Sequence, residues 1–359
     1  MPANKAPGVK DVAALAGVSV GSVSNVINGR GTVRDDVRER VEAAIYKLGY
    51  VPNPTAQALR RGVSPLVGVA VFDLTNPFFM QAAAGMEQRL RQAGCVMSLS
   101  STHADEHTEA ELLRALAGQA VRGILLTPAD ENLEVAHEIV KRGIPVVLFD
   151  FPGNTEDMPS ISIDDRAGAA LAIEHLLNLG HRNIAFFNGP HTVRQARQRS
   201  LGVQDAIDAF QAKHPEHQIQ LVAHEGEDFT AEAGRMSSRS LLTGAGIDLA
   251  ASDEAPPTLP ADFPTAIFCA NDLIAFGVVS VLRDLHLSIP KDVSVVGFDD
   301  IAIASEMSVP LTTIRQPMEE LGVEAVEMLL ASGQDSARIS HKKFQPGLVV
   351  RASTQPPRQ

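Results

Sequence analysis

Residues 11–31 read DVAALAGVSVGSVSNVINGRG. Gly17 to Gly21 spells Gly-x-Ser-x-Gly, the spacing of a hydrolase nucleophile elbow, which sits between a buried strand and a helix on a parallel sheet. Here the preceding residues, Asp11 to Ala16, are strong helix formers, with Val12, Leu15 and Ala16 at helical spacing. Gly17 suits the left-handed residue past a helix end, and Val18 plugs the turn. Ser19 stands where an N-cap belongs, and a second helix follows over about Val20 to Ile27, burying Val23 and Val26 or Ile27 and closing at Asn28-Gly29. Two short helices joined by a Gly-containing turn make a helix-turn-helix. The elbow needs a sheet that has not begun, so Ser19 reads as a cap and not as a nucleophile.

Outward from this stretch, a third helix is expected from about Asp35 to Leu48. Val37, Val41, Ala44, Ile45 and Leu48 form its stripe, the acids Asp35 and Asp36 sit at its positive end, and Gly49 ends it. A plain structural bundle would explain the helices. It would not explain the charge: residues 1–64 hold nine Lys/Arg against five Asp/Glu, in a 359-residue chain whose net charge is −12. A basic head on an acidic body indicates that the head meets a polyanion and the body does not. Nor would it explain the polar Ser22, Ser24, Asn25 and Asn28 on the second helix.

NPTAQALRRG, residues 53–62, follows. Asn53 can cap, Pro54 suits a first helical position, and Ala56 to Leu59 favour helix. So short a segment does not hold a helix alone in water, and by composition it is a linker with nascent helix.

From residue 66 the pattern becomes β-α-β-α. LVGVAVF (66–72), CVMSLS, GILLTP and PVVLFD alternate with helical stretches. A second series starts near residue 160 with SISI, then NIAFFNG, a strand near IQLV, TAIFCA and VSVVGFD. Two such series make two doubly wound parallel-sheet subdomains, and ligands of such sheets bind beyond the strand C-ends. Polar and aromatic residues recur there: Phe78 and Phe79 after the first strand, Asp150 ending PVVLFD, Arg199 in the helix after NIAFFNGP, Asn271 after TAIFCA, Asp299 ending VSVVGFD, and Gln316 after LTTIR. Aromatic walls with convergent carboxylates, amides and a guanidinium are the chemistry of a sugar site. Each taken singly is also a turn former, a helix cap or core, Asp164 and Asn271 especially.

The chain resembles the lactose-repressor/galactose-repressor (LacI-type) family of bacterial transcription regulators, through VKDVAALAGVSVGSVSNVIN (9–28) and VRERVEAAIYKLGYVPNPTAQALRRG (37–62). The resemblance implies that the second helix enters the major groove, with Val20, Gly21 and Asn25 at the base-reading positions. Asn25 suits adenine and Val20 a thymine methyl, whereas Gly21 departs from the usual side-chain-bearing residue. Ser19, Ser22, Ser24, Asn28 and Tyr50 suit phosphates. The same resemblance makes residues 53–64 a hinge helix that orders when two copies meet on DNA. Leu59 would be the minor-groove wedge, Ala56 would allow close approach, Arg60 and Arg61 would lie near phosphates, and Asn53 would join the DNA-binding residues. The body further resembles periplasmic ribose-binding proteins, whose site pattern is matched by Phe78, Phe79, Asp150, Arg199, Phe229, Asn271, Asp299 and Gln316. It departs at Phe151, where ribose binders carry Arg. Purine-binding relatives place Arg and Thr where this chain has Val193 and Gln195, which counts against a purine.

These readings give a helix-turn-helix head (1–52), a hinge (53–64) and a two-lobed effector-binding and dimerisation body (65–359). The expected partners are an operator in double-stranded DNA, a small monosaccharide or cyclitol effector, and a second copy of the chain. A dimer is expected and not a tetramer, because RASTQPPRQ carries no leucine heptad. No P-loop and no Gly-x-Gly-x-x-Gly after a strand is present, and neither an enzyme nor a cofactor is expected. His103-x3-His107 reads as solvated surface before metal ligands. Two distant cysteines, no apolar leader and no long apolar run make a reducing cytoplasm the expected compartment.

Overall fold

The computed structural model describes residues 7–28, 33–50, 64–153, 155–249, 256–332 and 339–358. The chain divides into two compact units, residues 1–65 and 66–359. Residues 53–63 of the expected hinge, with Asn53, Ala56, Leu59 and Arg60, lie outside the described residues.

Among the described residues the first unit holds three helices, α1 (Val9–Ala16), α2 (Val20–Asn28) and α3 (Asp35–Leu48), and no strand. α1 begins two residues before the expected start, because the Gly8 amide donates to the Asp11 carboxylate at 2.7 Å and so closes the first turn. Gly17 (φ 64°) and Gly49 (φ 59°) end α1 and α3 in the left-handed conformation. Val12, Ala13, Ala16, Val23, Val26, Val41 and Ala44 form the core, with Val18, Val37, Ile45, Leu48 and Tyr50 against it. Leu15 was expected on the buried stripe and is instead 45 % exposed. The buried arc of α1 passes through Val9, Val12, Ala13 and Ala16, and at 100° per residue Leu15 falls off its flank.

The second unit holds two six-stranded sheets. The first runs β11 (His341–Phe344), β5 (Ser160–Ile163), β4 (Val146–Phe149), β3 (Gly123–Leu126), β1 (Leu66–Val71), β2 (Val96–Ser101). The second runs β12 (Gly347–Val349), β10 (Thr312–Arg315), β9 (Ser294–Asp299), β8 (Ala266–Cys269), β6 (Asn183–Asn188), β7 (Gln220–Glu225). All neighbours are parallel except β10 and β12. The central strands are short runs of Val, Ile, Leu, Phe and Ala buried on both faces, as parallel sheets covered by helices require. The helices are α4 (Pro77–Gln92), α5 (Glu106–Gly118), α6 (Glu134–Lys141), α7 (Asp165–Asn178), α8 (Arg194–Lys213), α9 (Ala231–Gly244), α10 (Asp272–Asp284), α11 (Ile303–Glu306) and α12 (Met318–Ala331).

The two doubly wound subdomains are as expected, with one correction. SISI, read as the start of the second series, pairs with β4 through Leu148↔Ser160 and Phe149↔Ile161 and stays in the first sheet. The chain crosses to the second lobe only after it, returns to the first with α12 and β11, and crosses back with β12. β11 (His-Lys-Lys-Phe) gave no strand signal because it is an edge strand whose lysines face solvent. Lys343 bonds the Asp164 carboxylate at 2.9 Å beside the crossing. Helix pairs within each lobe approach to backbone contact. A Cβ on Gly202 of α8 would lie 2.0 Å from the Arg166 carbonyl oxygen of α7, and one on Gly322 of α12 would lie 2.0 Å from the Ala82 oxygen of α4.

Candidate functional site

Two surfaces carry chemistry, one in each unit. On the head, the Ser19 hydroxyl accepts the Ser22 amide at 3.0 Å and lies 3.0 Å from the Ser22 hydroxyl. Ser19 is therefore the cap of α2 and is committed to it. Val23 and Val26 turn inward, while Val20, Gly21 and Asn25 turn outward together on the exposed side. Ser22 and Ser24 are half-buried at the flanks. Tyr50 packs against the head core. The side chain of Asn28 lies outside the described residues.

In the body, one cavity of about 340 Å³ opens between the two lobes, past the C-terminal ends of both sheets. Phe78, Phe79, Asp150, Arg199, Phe229, Asn271, Asp299 and Gln316 all line it. Local sequence explains each placement. Asn76 caps α4, taking the Phe78 amide at 3.0 Å with Pro77 at the first helical position, and this directs Phe78 and Phe79 inward. The two rings meet edge to face at 5.0 Å, and Phe79 meets Phe72 in the same way at 5.8 Å. Phe229 packs over Gly189, where a Cβ would lie 2.4 Å from its ring.

The polar side chains hold one another. Arg199 Nε and Nη2 donate to Asp165 Oδ1 at 3.0 and 2.8 Å, and Nη1 donates to the Ala270 carbonyl. Its guanidinium carbon lies 3.9 Å from the centre of the Phe298 ring, a cation–π contact. Three of its five N–H groups are thus taken inside the protein. Asn271 caps α10 by accepting the Ile274 amide at 2.8 Å and donates to the Phe229 carbonyl at 2.9 Å. Its cap role and its place on the cavity are both real. Gln316 Nε2 donates to Asp299 Oδ1 at 2.6 Å, while Gln316 Oε1 is buried without a partner.

Asp150 and Asp299 sit at φ 53° and 115°, the left-handed region that a non-glycine residue occupies only when its surroundings hold it there. Gln195, from the first turn of α8, donates to the Asp150 carbonyl at 3.0 Å and to its Oδ2 at 2.8 Å, spanning the lobes. Asp300, next to Asp299, accepts from Arg315 and Arg351, both at 2.6 Å. Asp272 accepts the Ile301 amide and the Thr313 hydroxyl from the other side of the same loop. Burial pushes the carboxyls of Asp150 and Asp299 up to about 8. The Asp165 charge raises Asp150 further, and Arg199 opposes both shifts.

Asp165 and Gln195 were not expected as site residues. Asp165 follows a capping Asp164 and reads locally as a helix-end acid, so only a search for a counter-ion to a buried Arg199 finds it. Gln195 lies in the first turn of α8, just past the C-end of β6, where this fold places ligand contacts. Phe151 packs under the first lobe and lies off the main cavity. Asp164 caps α7, accepting the Ala167 amide at 3.1 Å. His103 sits at the cavity wall, and His107 pairs with Glu111 at 3.7 Å. Among the described residues no group of three or more metal-ligating side chains gathers, and no helix is long and apolar enough to cross a membrane.

Comparison with known proteins places this arrangement. Residues 8–53 match the model of bacterial regulatory proteins, lacI family, and residues 173–354 match a periplasmic binding protein-like domain. The chain is 36 % identical over 354 residues to the HTH-type transcriptional regulator reg1 of Streptomyces lividans, covering 96 % of this chain and 95 % of that protein. It is similar in structure to the lac repressor dimer bound to operator and the anti-inducer ONPF, with 30 % identity, TM-score 0.79, and 98 % and 100 % of the two chains covered. It is similar also to a LacI family transcriptional regulator from Enterococcus faecium with bound ribose, with 30 % identity, TM-score 0.67, and 81 % and 99 % covered.

Proposed function

This chain belongs to the LacI family of bacterial regulatory proteins, and we propose that it is a repressor that binds a pseudo-palindromic operator as a homodimer under the control of a small polyol. Residues 1–52 are the DNA-binding head, 53–64 the hinge and 65–359 the effector-binding and dimerisation body. The effector is ribose, another pentose or a cyclitol such as inositol. The observation that carries this reading is the inter-lobe cavity, where aromatic walls and hydrogen-bonding side chains from both lobes converge. A ligand there touches both lobes and so favours one inter-lobe angle. It changes DNA affinity only through that difference, and tenfold discrimination corresponds to about 1.4 kcal/mol. The effector-bearing lobes thereby decide whether two hinge segments pair on DNA, with Leu59 as the wedge at a central pyrimidine–purine step.

On the head, Val20, Gly21 and Asn25 share the exposed side of α2; Val20 and Asn25 supply the base contacts, and Gly21, at the third base-reading position, supplies none. Ser19, Ser22, Ser24, Asn28, Asn53 and Arg60 supply the backbone contacts, and Tyr50 reaches the backbone from its packed ring. The homodimer is supported by edge strands β2 and β7, one in each lobe, which expose Val96 and Val222. Gln195 argues against a purine effector, because both its N–H groups are spent on Asp150.

Selection from random DNA followed by calorimetry with pentoses and cyclitols tests the reading. It expects a two-fold symmetric site whose affinity falls steeply with salt, and micromolar-class binding of at least one polyol. An asymmetric site, or no polyol bound, overturns it.

A further inference from the structure

The cavity is built for hydrogen-bond donors and against negative charge. Its lining carries the carboxyls of Asp73, Asp150, Glu227, Asp228 and Asp299 against one guanidinium, that of Arg199, and the imidazole of His103. That guanidinium is already neutralised from behind by Asp165, whose side chain is itself buried. An incoming phosphate or carboxylate therefore finds no uncommitted guanidinium or ammonium among the described lining residues, and the same burial that disfavours charge on Asp150 and Asp299 disfavours charge on the ligand.

The polar groups left open point the same way. Asp150 Oδ2 is taken by Gln195 and Asp299 Oδ1 by Gln316, which leaves the second oxygen of each carboxyl to the cavity. Gln316 is 4 % exposed and lines the cavity, and its Oε1 is buried without a partner. An orphaned acceptor of this kind is satisfied when a ligand brings a donor to it. Gln195 retains no N–H for a ligand. The aromatic wall of Phe78, Phe79 and Phe229 needs no charge at all.

We infer that the site takes only uncharged or cationic hydroxyl-rich ligands, amino sugars included, and rejects phosphorylated and carboxylated sugars. The inference rests on the polyol reading above and sharpens it: Asp150, Asp299 and Gln316 Oε1 are the selectivity filter, and the committed Arg199 is what closes the site to anions. An anion taken into a water-poor site without a free cation to pair it loses affinity steeply, so the discrimination is at least about a hundredfold.

The test uses the full chain and thermal-shift titration, since a ligand of the folded state raises its melting temperature in proportion to affinity and concentration. The probes are ribose, glucose, glucosamine and myo-inositol. Each is set beside its charged derivatives: ribose 5-phosphate, glucose 6-phosphate, inositol monophosphate and glucuronate. Glucuronamide, which matches glucuronate in size and differs in charge, separates charge from bulk. The expected result is stabilisation by one or more uncharged or amino members and at least a hundredfold weaker response to the anions, with glucuronamide above glucuronate. Equal stabilisation by an anion and its neutral parent overturns the filter and leaves the polyol reading standing. No stabilisation by any member overturns the polyol reading, and the filter falls with it.

Discussion

In the head, the side-chain bond that shapes α2 joins residues three apart, Ser19 to Ser22. Around the cavity of the body, the bonds join residues far apart: Gln316 to Asp299 over 17 positions, Arg199 to Asp165 over 34, Gln195 to Asp150 over 45 and Arg199 to the Ala270 carbonyl over 71. The head turns Val20, Gly21 and Asn25, the residues proposed to face DNA, outward on a small exposed scaffold. The body buries its own and fixes them to each other before any ligand arrives. The head's arrangement positions groups for a large polyanion that supplies its own orientation. The body's arrangement preorganises a small site, where an ångström of misplacement weakens every contact at once.

The difference predicts where damage spreads. Arg199→Ala leaves Asp165 buried without its partner, and loss of one member of a buried pair destabilises by about 3–5 kcal/mol. In calorimetry the body transition should drop markedly while the head transition stays where it is. The sequence places Arg199 among the ligand contacts, and the structure adds its buried partner Asp165. A body transition unchanged in Arg199→Ala would show that the pair does not hold the cavity.

Asp299→Asn carries a smaller effect that depends on pH. The folded-state carboxyl is raised to about 8, above its unfolded value, so the folded state holds a proton that the unfolded state releases. Its contribution is fully present below the unfolded value near pH 4, and it is lost as pH rises toward 8. The asparagine has no such loss. The body of the variant should gain on wild type by about 3–4 kcal/mol between pH 5 and pH 8, and sugar affinity should fall. Parallel pH profiles for the two proteins would show that folding does not raise the Asp299 carboxyl.

Ser19→Ala is expected to be the mildest. It removes one cap from α2, about 1 kcal/mol, and should lower only the head transition and DNA affinity. A shift of the body transition would break the division between the regions.

The same contrast governs what the sequence discloses. The α2 cap, the left-handed Gly17 and Gly49, and the strand-end positions of Phe78, Asp150, Asn271 and Asp299 follow from neighbours within a few residues. Their types and spacing announce them. Leu15 misled because a stripe of apolar spacing does not say where the centre of the buried arc falls. Asp165 and Gln195 were hidden because their partners lie on other elements. SISI was assigned to the wrong lobe because a strand's pattern states that it is a strand and not which sheet receives it. β11 was silent for a different reason: a polar edge strand forgoes the apolar pattern that marks the interior ones.

The central claim is that a ligand in the buried region changes what the exposed region does. Fluorescence anisotropy of the full chain on its selected operator, with and without a saturating polyol that calorimetry shows to bind, tests it directly. The account predicts that the polyol moves the operator midpoint about tenfold or more at fixed salt. A midpoint unmoved by a bound polyol would contradict it.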